Sequence, residues 1–131
     1  MSFSYPKKHK LKSKTSIDLL FSKGKSVSKY PLRLVYAVAD EKLMDGEMMK
    51  IGVSVSKKYF KHAVDRNYFK RVLRETYRLN QHLLRNQINQ PYVFMLFYQT
   101  KERLSYDEIE QKTIQLFEKW ALVITNQSHK E

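Results

Sequence analysis

The stretch Lys50-Ile51-Gly52-Val53-Ser54-Val55-Ser56-Lys57-Lys58-Tyr59-Phe60-Lys61-His62-Ala63-Val64-Asp65-Arg66-Asn67-Tyr68-Phe69-Lys70-Arg71-Val72-Leu73-Arg74-Glu75-Thr76-Tyr77-Arg78 changes its hydrophobic period midway. Over Lys50 to Ser56, Ile51, Val53 and Val55 alternate with Gly52, Ser54 and Ser56, the two-residue period of a half-buried strand. From near Asp65 to about Asn86 the period becomes helical. At about 100° per residue, Arg66, Lys70, Arg74 and Arg78 advance in i+4 steps along one flank. Asn67 and Arg71 lie beside them, so the polar groups share an arc of roughly 140°. Tyr68, Phe69, Val72, Leu79 and Leu83 fall opposite, on the side expected to pack against a sheet.

Upstream of this unit, Ser13 or Thr15 can cap a short helix to about Ser22, with Ile17, Leu20 and Phe21 on one side and Gly24 ending it. Leu32 to Ala39 reads as a strand with Leu32, Leu34, Tyr36 and Val38 on one face, followed by a polar turn, Asp40 to Glu47, that contains Asp45-Gly46. Downstream, Pro91 opens a continuous apolar strand, Tyr92 to Tyr98, of the kind found at the centre of a sheet. Ser105-x-x-Glu108 is a capping box opening a last helix to about Thr125, with Ile109, Thr113, Leu116, Trp120 and Val123 inward. The order α-β-β-α-β-α predicts an α+β fold, a two-layer α-β sandwich with a small sheet covered by helices. A strand on each side of the long helix gives a β-α-β crossover, right-handed by default. One domain spans 1–131, with 1–8 and 126–131 expected as loose termini.

The chain of 131 residues carries 25 Lys+Arg against 13 Asp+Glu, a net charge of +12. Such an excess repels itself in a compact fold, and a polyanion relieves it. The charge is also local. Lys7, Lys8, Lys10, Lys12, Lys14, Lys23, Lys25, Lys29 and Arg33 face only Asp18 in the first 38 residues, whereas the region from Lys101 onward is close to balanced. Nucleic acid is the first candidate partner. An anionic membrane surface is the second, but the longest apolar stretch, Tyr92 to Tyr98, is far short of the roughly 20 residues a spanning helix needs. No secretory or targeting segment is expected at the basic, polar start.

There is no cysteine, which excludes disulfides, thiolate nucleophiles and Cys-based zinc sites. His9, His62, His82 and His129 show no metal-ligand spacing, and three glycines provide no phosphate loop. No protein-borne catalytic centre is legible. What remains is the cationic row. Arginines in such a row can each hold a phosphate bidentately, and Asn67 adds donor and acceptor capacity for a base edge, a 2′-OH or a metal-bound water. A charge run is usually just a solvated helix face. Here only Asp65 and Glu75 stand nearby to offset it, and Lys57-Lys58 sits directly upstream, so a nucleic-acid surface is the better reading. Among the aromatics, Phe94, Phe97 and Phe117 are expected in the core, and Phe21 and Tyr36 are candidates to stack on bases.

Gly52-Val53-Ser54-Val55-Ser56-Lys57-Lys58 followed by Ala63-Val64-Asp65-Arg66-Asn67-x-x-Lys70-Arg71-x-x-Arg74-Glu75 resembles the signature of bacterial ribonuclease P proteins. Lys10-Leu11-Lys12 and Leu20-Phe21-x-x-Gly24 resemble that family's opening helix at matching spacing. The resemblance implies a left-handed β-α-β crossover, against the default. It implies that Arg66, Asn67, Lys70, Arg71, Arg74 and Arg78 contact a catalytic RNA, near Mg²⁺ held mainly by that RNA rather than by a protein-only metal site. It implies a cleft for the single-stranded leader of precursor tRNA, lined by Phe21, Tyr36, Ser54, Lys57 and Lys58. A cytoplasmic protein is expected, monomeric and in a 1:1 complex with the RNA, with neither membrane nor DNA as partner.

Two features depart from the family pattern. Ile17 stands where an aromatic residue is common, and Tyr59-Phe60-Lys61-His62 makes the loop one residue longer and lacks its usual glycine. Phe60 or Tyr59 is the candidate replacement for the missing stacking platform. Two other readings stand beside it: a stand-alone RNA-binding module, which accounts for the charge and fold but not for the motif, and a metal-dependent nuclease acting alone, which nothing in the sequence encourages.

Overall fold

The computed structural model describes residues 14–129, with side chains as far as residue 126. Ser13 and residues 1–8, expected as a cap and a loose terminus, lie outside the described residues, as do 130–131. Helix α1 (Lys14–Lys23) is followed by strands β1 (Lys25–Lys29) and β2 (Leu32–Val38), a short 3-10 turn (Glu41–Leu43) and β3 (Met49–Val55). Helices α2 (Ala63–Asn80) and α3 (His82–Arg85), strand β4 (Tyr92–Tyr98) and helix α4 (Tyr106–His129) complete the fold.

The four strands form one mixed sheet in the order β1-β2-β4-β3. β1 and β2 pair antiparallel, β2 and β4 antiparallel, and β3 and β4 parallel, so α2 and α3 supply the crossover between two adjacent parallel strands. β4 is central, as its unbroken apolar run predicted. Leu32, Leu34 and Tyr36 of β2, Ile51 and Val55 of β3 and Phe94, Leu96 and Tyr98 of β4 meet α2 and α4 in the main core, while Val38, on the same face at the strand's end, stays exposed. Trp120 is fully buried there, edge-on to Tyr36, Tyr92 and Phe94. α1 crosses the opposite face, packing Leu20 with Val35, Ala37, Ala39, Met44 and Val93.

Several boundaries differ from expectation. β1 was not predicted: Lys-Ser-Val-Ser-Lys has one apolar residue, and its pairing with β2 makes it a strand. Its flanking lysines suit an edge that must not recruit another chain. The long helix breaks at Gln81, with α3 as a separate turn; just before the break, the Asn80 side chain donates to the Thr76 carbonyl (2.9 Å), competing with the backbone ladder. α4 continues to His129, past the end expected near Thr125.

At the other end of α4 the capping box forms as read. Ser105 Oγ accepts from the Glu108 amide, and Glu108 Oε1 accepts from the Ser105 amide, each at 3.2 Å. Ile109, Thr113, Leu116 and Trp120 face inward as predicted, and Val123 is partly buried. Thr113 hydrogen-bonds Thr76 across the buried α2–α4 contact at 3.1 Å.

Candidate nucleic-acid interface

α2 presents the row expected of it, with two of its six members bound to the protein itself. Its core face is Phe69, Val72, Leu73, Thr76, Tyr77 and Asn80. Asn67, Arg71 and Arg74 are exposed and Lys70 is half-exposed, all on the outward flank. Arg66 is turned back: its Nη1 donates to the carbonyls of Phe60 (3.0 Å) and Lys61 (2.8 Å), closing the loop between β3 and α2. Arg78 is gripped by Glu75, with Nε donating to Oε2 at 3.0 Å and Nη2 to Oε1. That grip holds the Glu75 carboxyl below the ordinary glutamate range, mainly through its hydrogen bond with Arg78. The outward flank of α2 is Lys70, Arg71 and Arg74 with Asn67, while half-buried Arg66 also serves as a loop clasp through one of its terminal nitrogens.

The loop has a second clasp. Asp65 at the start of α2 pairs with Arg103 of the β4–α4 connection at 2.9 Å. The Arg103 guanidinium also lies over the rings of Phe60 and Phe69, at 5.9 and 5.4 Å. Phe60 is buried, stacked on Phe69 with centroids 4.8 Å apart, so it cannot replace a missing stacking platform. Tyr59 is half-buried, with Lys58 Nζ 5.6 Å from its ring centroid. Lys57 and Lys58 are exposed where the loop leaves β3, and the Ser56 hydroxyl accepts from the Lys58 amide at 3.0 Å.

The sheet face that carries α1 is covered only in part. Strand register places Ser28, Arg33, Phe97 and Ser54 in one line across all four strands, with Ser26, Val35, Met95 and Gly52 in the next line toward α1. At about 4.8 Å between strands, each line spans about 14 Å. Arg33 is exposed, and Phe97, Met95, Gly52 and Ser54 are half-buried. A cation, an aromatic ring and a hydroxyl thus adjoin on a partly open sheet face. Phe21, 70% exposed on α1, borders the same face, with Ile17 half-buried one turn before it.

Phe21 is exposed on α1, Ser54 is half-buried on this face and Lys57 and Lys58 are exposed just after β3, while two aromatics sit otherwise than expected. Tyr36 lies on the other face, 4% exposed against Trp120 and Tyr92, and burial pushes its hydroxyl pKa up. Phe97, expected in the core, is half-buried and packs against the smaller core beneath α1 at the edge of the open face. Arg33 was counted only as charge. The pairing of β2 and β3 with β4 would have revealed both, and that pairing is a long-range fact.

A cavity of about 430 Å³ beside Tyr30 and Leu104 is rimmed by Glu102, Asp107 and Glu108, the wrong sign for phosphate. Among the described residues, no group of three or more His, Cys, Asp or Glu could share a metal ion. No helix of the described residues is long and apolar enough to cross a membrane.

Comparison with known proteins bears on the family and the fold. The family model described as Ribonuclease P matches residues 5–121. A ribonuclease P protein component of Porphyromonas gingivalis is 39% identical over 93 residues, which are 71% of this chain and 66% of that protein, so the match spans just under two thirds of the relative's length. One from Dictyoglomus thermophilum is 31% identical over 117 residues, covering 89% of this chain and 92% of that protein. The RNase P protein of Thermotoga maritima superposes with a TM-score of 0.66 at 21% identity, over 84% of this chain and 96% of that one. The Staphylococcus aureus RNase P protein gives 0.66 at 18% identity, over 82% and 91%. These two share the fold. With a family match across most of the sequence, the chain belongs to the bacterial ribonuclease P protein family.

Proposed function

We propose that the chain is the protein subunit of the ribonuclease P endoribonuclease, assisting Mg²⁺-dependent removal of the 5′ leader from precursor tRNA. The observation that carries this reading is the pair of surfaces on either side of the β3–α2 loop. One is the outward cationic flank of α2, with Asn67, Lys70, Arg71 and Arg74, suited to the folded backbone of a catalytic RNA. The other is the open sheet face, with Arg33, Phe97, Ser54 and Phe21 near Lys57 and Lys58, suited to a single strand whose bases stack and whose phosphates pair with cations. Phosphodiester hydrolysis is assigned to the RNA and its bound Mg²⁺, which can supply both the Lewis acid and the activated water. The chain's share is to position RNA and screen phosphate charge. A cytoplasmic, monomeric protein in a 1:1 complex with the RNA is part of the proposal.

The test mixes the protein with a bacterial ribonuclease P RNA and 5′-labelled precursor tRNA at low Mg²⁺, where the RNA alone is slow. Release of the intact leader only when protein and RNA are both present is the expected result. Tight, salt-sensitive RNA binding with no stimulation, repeated with a second type of ribonuclease P RNA, would instead favour a general RNA-binding module.

A further inference from the structure

Val64 and Tyr68 fall outside both surfaces, yet they are 78% and 42% exposed. They lie one helical turn apart on α2, so their side chains are neighbours on its surface. The sequence pattern placed Tyr68 inward, but the core face of α2 runs through Phe69, Val72, Leu73 and Thr76, leaving Tyr68 outside. Its ring meets Phe69 edge-on, with centroids 5.0 Å apart and planes at 86°. Phe69 is itself stacked against Phe60 and Tyr98, at 4.8 and 4.7 Å. The exposed ring is therefore backed by a fixed aromatic stack, which lowers the ordering cost of binding a flat partner.

We propose that Tyr68, with Val64 beside it, is a stacking site for an unpaired base of the RNA that the α2 row binds. The inference rests on the RNA-binding reading of α2 and adds a base contact to a row that otherwise meets phosphates. The charge around the ring selects RNA over a protein partner. Asn67 adjoins Tyr68 and Arg71 follows three residues on, both exposed. The two acids of α2 are occupied, Asp65 by Arg103 and Glu75 by Arg78. A base stacked on Tyr68 would have its phosphates within a cationic field. The apolar side chain of a protein partner would gain nothing from that field.

The test measures binding of the full chain to a bacterial ribonuclease P RNA across a series of NaCl concentrations, comparing Tyr68→Ala, Tyr68→Leu, Tyr68→Phe and Arg71→Ala. Thermal melts confirm that each variant is folded. Stacking predicts that Tyr68→Ala and Tyr68→Leu weaken binding by about 5- to 100-fold, while Tyr68→Phe stays within about twofold of the parent. The salt slope is unchanged in all three, because no phosphate contact is lost. Arg71→Ala flattens that slope by about one contact.

Parent-like binding by Tyr68→Leu, with Arg71→Ala impaired, overturns the stacking site and leaves the RNA-binding reading intact. A loss in Tyr68→Leu accompanied by a flatter slope also overturns it, since the residue would then be acting through charge. Failure of the unaltered protein to bind the RNA removes the underlying reading as well.

Discussion

Arg66 heads the cationic row in the sequence, yet one of its terminal nitrogens is bound to the protein, and replacing it with alanine measures that role. Its Nη1 donates to the Phe60 and Lys61 carbonyls at 3.0 and 2.8 Å. A hydrogen bond from a charged donor contributes about 1.5–3 kcal/mol. These two share one nitrogen at the edge of solvent, so together they are assigned about 2 kcal/mol, below the sum of two such bonds. Unfolding entropy near 2.1 cal/mol/K per residue, taken over 131 residues, converts about 2 kcal/mol into a drop of about 7 °C in Tm.

Calorimetry of the RNA-free protein should show that drop for Arg66→Ala. Arg74→Ala, which removes an exposed side chain, should move Tm by less than about 2 °C. Binding to ribonuclease P RNA should rank them the other way at 20 °C, with Arg74→Ala the weaker binder and its salt slope reduced. An Arg66→Ala protein that melts within 2 °C of the parent would refute the clasp, and Arg66 would return to the RNA surface.

Three further perturbations follow from the same geometry. A Cβ at Gly24 would lie 2.1 Å from the Leu20 carbonyl oxygen and 2.8 Å from Val35 Cγ1, so Gly24→Ala should displace the end of α1 and lower both Tm and affinity for precursor tRNA, read by melting and by titration with the assembled enzyme. Phe97→Leu keeps an apolar side chain but removes the flat ring, and should reduce the preference for precursor over mature tRNA by at least about fivefold while leaving mature tRNA binding unchanged. An equal loss for both RNAs would place Phe97 outside the leader path.

The Glu75 carboxyl is held below its ordinary range chiefly by the Arg78 hydrogen bond. Its small contribution to stability is therefore present above the unfolded value of about 4.3 and is lost as pH falls through the lower folded value. Glu75→Gln should flatten the fall in Tm between pH 5 and pH 3, read by melting across that range.

Most of the fold is readable from period and punctuation: the alternation through Ile51, Val53 and Val55, the continuous run of β4 and the Ser105–Glu108 box each became the element they imply. The failures share a cause. β1 has one buried residue and exists only because β2 pairs with it, Tyr68 falls just outside the packed face of α2, and Val38 ends its strand beyond the reach of the covering helices. The candidate site divides in the same way. Lys70, Arg71 and Arg74 follow from helical spacing alone. Phe97 and Arg33 become neighbours of Ser54 through strand register between segments more than forty residues apart, and Tyr36 belongs to the opposite face. Nor could spacing show that Arg66 and Arg78 were already engaged, because their partners depend on side-chain direction.

The twin clasp at the β3–α2 junction also fixes a distance. Ser54 on the open sheet face and Asn67 on the cationic flank are thirteen positions apart, and a free tether of that length would let the two surfaces drift. Arg66 closes the turn from within, Arg103 ties its far side to the β4–α4 connection, and Phe60 is keyed into the core between them. The connector therefore works as a gauge block: whatever strand lies on the sheet is held at a set offset from whatever RNA grips α2. A molecule built this way can select where along a bound strand a second body acts without touching the bond that breaks.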